Sequence, residues 1–314
     1  MNTWDKFKVA RFFQTYSVLV MIAALVLAMS LLSDSFLTYR NILNILNQNA
    51  PLAIMASAMT LVIIGGGFDL SVGATFAVAG VCAAWVALEI DPYLGLLIAP
   101  LVGLALGTIN GLVITSLNVH SFLATIATSL VFKGVAIVVS DGRLIPVRLD
   151  DFTWLGRGKV GGVFIAVLVM VAFALILSFV LKRTTLGRKI FSVGGNEEAA
   201  VLSGIRTDRV KIATFAIAGL AAGLAAAISV SRISMGQASA GTGMELQAIA
   251  AVILGGTSIY GGVGAVWRSV AGVLLLALIN NGFNILNADP FFRDLTTGLV
   301  ILGAIGISVA GRPR

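Results

Sequence analysis

The sequence predicts an all-α, polytopic membrane protein of about ten transmembrane helices, arranged as two inverted halves of five, and three observations point there. Only 11% of the 314 residues are charged, against about 25% in soluble proteins, so charge cannot clothe a water-facing surface. Apolar residues make up 58% and the mean hydropathy is +1.02, so hydrocarbon must face most of the chain. The apolar residues also fall into runs close to the ~20 needed to cross ~30 Å of hydrocarbon, separated by charge or turn residues. A single cysteine, Cys82, excludes an internal disulfide, and a single histidine, His120, leaves no nitrogen-rich metal cluster. The net charge of +7 is spread between apolar runs, which reads as a topology signal rather than a nucleic-acid footprint.

The expected spans are 16–33, 50–65, 70–88, 93–117, 121–139, 162–181, 211–231, 246–260, 268–286 and 295–310. The second and eighth are short and run straight into glycine-rich stretches. Lys6, Lys8 and Arg11 precede the first span and place the N-terminus inside. That span exceeds a signal-peptide h-region and no A-x-A site follows before Asp34, so it is expected to stay as an anchor. Alternation then puts the 182–210 loop inside, with Lys182, Arg183, Arg188, Lys189, Arg206 and Arg209, and Lys211 just beyond it. Arg312 and Arg314 fall inside too, so both termini are expected to be cytoplasmic. The chain reads as one transmembrane domain, 1–314, with the 182–210 loop as a docking segment within it. Five crossings per half would invert the halves, and a short echo (Asn41 to Asn47 before Pro51, Asn281 to Asn287 before Pro290) hints at duplication.

Polar groups inside hydrocarbon must line a cavity or a helix interface, so the residues that break the apolar pattern are the informative ones. Gly65-Gly66-Gly67-Phe68-Asp69-Leu70-Ser71 lies between spans two and three; Asp69 is expected either to N-cap span three, worth ~1 kcal/mol, or to belong to a pathway or gate. A second glycine-rich stretch, Leu254 to Gly264, ends the eighth span. Asn280, Asn281 and Asn284, with Asn110 in span four, offer amides suited either to interhelical bonds or to a conduit for hydroxyl-rich solutes. Gly219 and Gly223 read as close helix packing. Lys133, mid-way along span five, would cost ~2.5 to 3.5 kcal/mol unpaired and is expected to find a partner by snorkelling or through backbone carbonyls, with contact with a passing solute as the alternative. In the 182–210 loop, Asn196 is a good N-cap, Glu197 and Glu198 favour the helix dipole, and a short helix should run to about Ser203 and stop at Gly204. Ala199, Ala200, Leu202 and Ile205 would give it an apolar contact face, either for a partner or for the membrane surface.

Several motifs are missing. No phosphate-binding G-x-x-x-x-G-K-[ST] occurs: the nearest fragment, Gly156 to Lys159, is followed by Val160. H-E-x-x-H is absent too, and intramembrane acids are few. The chain is therefore expected to need no cofactor, to hydrolyse no ATP and to drive no transport alone. An ion-coupled transporter using Asp69 and Glu245, and a membrane enzyme or scaffold, are the competing readings.

Three stretches together resemble the permease subunits of bacterial ABC importers for sugars such as ribose, galactose and xylose, allied to branched-chain amino acid permeases. They are Gly66-Gly-Phe-Asp-Leu-Ser-Val-Gly73; Thr185-Leu-Gly-Arg188 with Val193-Gly-Gly-Asn196-Glu and Ala199 to Ile205; and Glu245 to Ala251 through Gly255-Gly-Thr-Ser-Ile-Tyr-Gly-Gly262. The resemblance covers nearly the whole chain. It implies a bacterial inner-membrane permease with a separate ABC ATPase subunit, a periplasmic sugar-binding protein and a second permease, either another copy in a homodimer or a related chain. It also implies that Gly194, Gly195, Asn196, Glu197, Ala199, Ala200, Gly204 and Ile205 belong to the segment seated on the ATPase, leaving Phe68, Asp69, Ser71, Asn110, Asn280, Asn281 and Asn284 as pathway candidates. Phe68, Lys133 and Arg268 depart from the family's usual Ile, Arg and Gly.

Overall fold

The computed structural model of the chain describes residues 3–287 and, beyond them, 289, 291, 292, 295, 296, 298, 299 and 302, with side chains from Tyr16 onward. The helices are α1 (Thr3–Leu32), α2 (Tyr39–Ile64), α3 (Val72–Glu89), α4 (Pro92–Ser116), α5 (Ser121–Ser140), α6 (Asp150–Arg157), α7 (Ile165–Arg183), α8 (Thr185–Gly195), α9 (Glu197–Leu202), α10 (Thr207–Ile233), α11 (Met244–Leu254) and α12 (Val266–Ile285). Four two-residue strands, β1 (Ile145–Pro146), β2 (Lys159–Val160), β3 (Val163–Phe164) and β4 (Met235–Gly236), pair antiparallel as β1 with β4 and β2 with β3.

Seven helices among the described residues, α2, α3, α4, α5, α7, α10 and α12, are long and apolar enough to cross a membrane; Tyr16–Leu32 and Met244–Leu254 are shorter apolar helices. The expected tenth span, 295–310, lies for the most part outside the described residues, as do Arg312 and Arg314.

Local chemistry sets the boundaries. Asp91 caps α4 by accepting from the Tyr93 and Leu94 amides at 2.9 and 3.0 Å, with Pro92 at the first helical position where no amide hydrogen is needed. His120 caps α5 through its ring nitrogen, and Asp141 ends that helix in the left-handed region. The helices α2, α9 and α11 close in the same way. Gly66, Gly204 and Gly256 take positive φ, and the two amides there reach back to carbonyls of the last turn (Gly66 to Ile63 and Gly67 to Val62 in α2).

Two spans differ from expectation. The second is 26 residues long rather than 16, because the Asn-rich stretch from Asn41 continues the helix instead of forming a loop. Two of its amides bond across helices: Asn41 and Asn281 exchange two bonds at 3.0 and 2.9 Å, and buried Asn47 donates to Gly156 O. α2 thus becomes the central element, packed by α7, α10, α11 and α12. The eighth span is a helix of only 11 residues, about 16 Å long.

α4 and α10 share the most extensive interface. Gly103, Gly107 and Gly111 recur every fourth residue on α4 and lie directly on the backbone of α10 at Gly219, Gly223, Phe215 and Ile212; a Cβ at Gly111 would come within 2.6 Å of Ile212 Cα. Small residues at this spacing let two helices meet backbone to backbone, as Gly219 and Gly223 suggested.

The connections gather at two ends of the bundle. One, the elbow end, holds Gly65 to Phe68, the 117–120 turn, α8, α9 and the Gly255 to Gly264 loop. The other, the crown end, holds α6, the four strands and the junction of α2 with α12. Hydrogen bonds tie the crown: Ser231 Oγ donates to Phe152 O at 2.6 Å and accepts from Gly156 N at 2.8 Å, while Arg157 reaches Arg232 O and Ser234 Oγ. The segments that alternation assigns to one side do meet at one end.

Candidate functional site

At the elbow end the chain leaves α2 through Gly65-Gly66-Gly67 and is at once pinned by side chains. Asp69, 1% exposed, accepts from the Ser71 amide at 2.9 Å and from Ser71 Oγ at 2.6 Å; Ser71 Oγ in turn accepts from Asn110 Nδ2 at 2.6 Å. This corrects the expectation for Asp69. It does not cap α3, whose cap residue is Ser71 with no side-chain bond to the helix amides; it closes a turn two residues earlier, because its short carboxylate reaches the Ser71 amide first. The loop is also latched to α5. Ser121 Oγ accepts from Phe68 N at 3.0 Å, and Thr125 Oγ1 accepts from Leu70 N at 3.1 Å. Asp69, Ser71 and Asn110 are therefore brought together, fully buried, with half-buried Phe68 beside them.

The asparagines of α12 are not part of this cluster. Asn281 is bonded to Asn41 at the crown, Asn280 is half-buried and Asn284 exposed nearby. Asn41 and Ile64 sit at opposite ends of α2, about 35 Å apart at 1.5 Å per residue. The seven pathway candidates split into an elbow set and a crown set, a distinction invisible in residue type.

The 182–210 segment is helical almost throughout, with α8 unforeseen between Thr185 and Gly195. Thr184 caps it through Gly187 N. Asn196 then caps α9 by accepting from Ala199 N at 2.9 Å, and the helix ends before Gly204, as its sequence suggests. Glu197 pairs with Lys211 of α10, a partly exposed contact worth less than about 1 kcal/mol. The apolar face is not the one anticipated. Ala200 is buried and Ile205 half-buried against the chain itself, whereas Leu202, 89% exposed, and Val201 point outward with Ala199. Six-residue α9 turns Ala200 inward to complete its own packing, which leaves its neighbours outside.

The α8–α9 elbow touches the end of α2 with no side chain between them. A Cβ on Gly194 would overlap the Ile64 carbonyl, and that carbonyl accepts from Gly262 N at 2.9 Å. Gly261, at φ +82°, leaves only 2.6 Å between an added Cβ and Gly194 O. Three glycine stretches, 65–67, 194–195 and 261–262, thus converge on one junction. Gly195 differs from Gly194: it is exposed, with open space where its Cβ would be. Beside the junction lies a cavity of about 300 Å³ lined by Gly65 to Gly67, His120, Ser121, Gly194 to Glu197, Lys211 and Phe215. Among the described residues no group of His, Cys, Asp and Glu is placed to hold a metal ion.

Of the partners expected for Lys133, backbone carbonyls are not the ones it meets. It is exposed on α5 and makes no hydrogen bond or ion pair among the described residues, because the elements packed on α5, chiefly α3, lie on its other side.

The sequence reading also missed how the eighth crossing is built. Between α10 and α11 the chain does not stay at the crown. Gly236 lies against Ala84 and Gly80 of α3, whereas Gly241 lies against Gly73 and Phe76. Gly80 to Gly73 is about 10 Å of helix at 1.5 Å per residue, and the chain beside it descends through turns, Ala240 N donating to Gln237 O at 3.1 Å and Thr242 N to Ser239 O at 3.4 Å. Residues 236–241 therefore run down alongside α3, and α11 completes the crossing to the elbow end. The detectable signal was a helix too short to span, preceded by Gly236, Gly241 and Gly243 among polar residues.

Comparison with known proteins identifies the family. Residues 41–305 match the family described as branched-chain amino acid transport system / permease component. The ribose import permease protein RbsC of Bacillus subtilis (strain 168) is 43% identical over 284 residues, covering 90% of this chain and 88% of that one. RbsC of Escherichia coli (strain K12) is 39% identical over 292 residues, 91% of each chain. The L-arabinose transport system permease protein AraH of the same organism is 35% identical over 302 residues, 96% of this chain and 92% of that one. No solved structure gives a significant match.

Proposed function

The chain belongs to the family of branched-chain amino acid transport system / permease components, and on that premise we propose that it is the passive membrane subunit of an ATP-driven importer for a pentose or similar sugar. It is a multi-pass inner-membrane permease that moves solute rather than transforming it. Its energy comes from a separate ABC ATPase and its cargo from a periplasmic binding protein; two copies pair within the lipid. The elbow end faces the cytoplasm, in keeping with the basic residues gathered there, and the crown faces the periplasm.

The observation that carries this reading is the elbow. A short helix presents Val201 and Leu202 outward, and its base meets α2 and the Gly261–Gly262 loop through backbone alone. An ATPase gripping α9 would move Gly194, and with no side chain to deform, that motion reaches Ile64 and the Gly65 to Gly67 loop directly. The Asp69–Ser71–Asn110 cluster then acts as the clamp that makes the loop and α3 move together, with Phe68 at its edge.

The reading is tested by uptake of labelled D-ribose and L-arabinose into membrane vesicles carrying the chain with its ATPase and binding protein. Uptake should require ATP and all three components. Accumulation driven by an ion gradient with this chain alone would overturn it.

A further inference from the structure

We propose that the pocket between α8 and the start of α10 holds a phosphate group, that of an anionic phospholipid in the leaflet at the elbow end, and that Lys189, Arg206 and Arg209 grip it. Such a site serves whichever solute the chain carries.

The pocket has a volume of about 370 Å³ and is walled by Thr185, Leu186 and Lys189 of α8 and by Arg206, Arg209 and Val210 at the start of α10. Its three cations are exposed and make no ion pair or hydrogen bond among the described residues. Like charges around one hollow repel one another, and an anion entering it relieves that repulsion. No acid of the chain does so. Asp208 is not in the walls: at about 100° per residue it lies on the side of α10 opposite Arg206 and Val210. Glu197 of α9 is already paired with Lys211, and Glu198 does not line the pocket. Guanidinium groups hold phosphate oxygens through paired hydrogen bonds, so two arginines and a lysine around one hollow suit that anion.

Depth identifies where the phosphate comes from. α7 runs from Ile165 without a charged residue until Lys182 and Arg183, about 28 Å of helix at 1.5 Å per residue, close to the ~30 Å of hydrocarbon. Hydrocarbon therefore ends near Arg183. α8 does not then climb away into water. Its Gly187 lies on the Val180 and Leu181 carbonyls, where an added Cβ would come within 2.4 Å of the first, so α8 folds back level with the last turn of α7. The pocket is thus held in the headgroup layer, which adds ~5 to 7 Å on each side of the hydrocarbon and contains the lipid phosphates. Basic residues gathered at that level, Lys182, Arg183 and Arg188 among them, attract anionic lipids. Occupation ties α8 to α10, the two helices on either side of α9, and so braces the base of the elbow.

The full chain, purified and stripped of lipid in detergent, is titrated with dioctanoyl phosphatidylglycerol, dioctanoyl phosphatidylcholine or inorganic phosphate while its melting temperature is followed. A ligand held only by the folded protein raises that temperature. Phosphatidylglycerol should raise it by about 3 °C or more, and phosphatidylcholine by less than about 1 °C. The triple variant Lys189→Gln, Arg206→Gln, Arg209→Gln should lose the rise, while Arg40→Gln with Arg148→Gln, exposed arginines at the crown, should keep it. Native mass spectrometry of the assembled transporter should find phosphatidylglycerol retained, at least fivefold less in the triple variant. An equal rise with millimolar inorganic phosphate would keep the phosphate site and overturn its assignment to lipid. No rise with either anion, or an undiminished rise in the triple variant, would overturn the site itself. Loss of the ATPase subunit from the triple variant, with no rise in the parent, would assign the three cations to the subunit interface instead.

Discussion

Gly194 and Gly195 are adjacent and identical in type, yet the structure separates their roles. A methyl group on Gly194 meets the Ile64 carbonyl, so Gly194→Ala must push the elbow away from α2; overpacking of this kind costs about 1 to 3 kcal/mol. We expect ATP-driven uptake to fall at least tenfold, measured in vesicles, while Gly195→Ala stays within about twofold of the parent. Ser71 is the second test. Ser71→Ala removes the hydroxyl joining Asp69 to Asn110, leaving Asp69 only the backbone amide of residue 71 and stranding the buried Asn110 amide, with an expected loss of about 1 to 3 kcal/mol seen as a lower melting temperature in detergent. At this scale the sequence was legible where the chemistry is local. Asn196 capping α9 follows from its own neighbours, but Gly194's closeness to Ile64, the Asn41–Asn281 pair and the inward turn of Ala200 depend on segments far away along the chain.

Among the elements, α9 and the α4–α10 pair give the clearest expectations. Leu202→Asp places a carboxylate where only solvent or a partner is met, so the permease should fold and melt as before while the ATPase subunit no longer copurifies; copurification at parental levels would argue against docking at α9. Gly107→Val forces a branched side chain into backbone at the α4–α10 seam, and we expect loss of the monodisperse peak in size-exclusion chromatography. Long apolar helices were readable because hydrocarbon thickness sets their length. The Asn-rich start of α2 was not, because Asn41 and Asn47 find partners in segments far away along the chain. Nor was the eighth crossing: hydropathy averages over a window and cannot see that part of it is non-helical turn backbone lying against α3.

For the whole molecule, alternation of spans correctly sorted the connections into two groups, since a chain crossing back and forth has no other choice. Which group faces the cytoplasm is the matter for experiment. On the Cys82→Ala background, Leu202→Cys should be modified by an impermeant maleimide in inside-out vesicles and spared in right-side-out ones. The α4–α10 seam carries a broader consequence. Because peptide planes touch there without cushioning, tolerance to amino-acid replacement should vanish at 103, 107 and 111 and again at 219 and 223, recovering between them. A saturation-mutagenesis library scored for growth would then trace, as a comb of lethal teeth, where these two rods lie against each other.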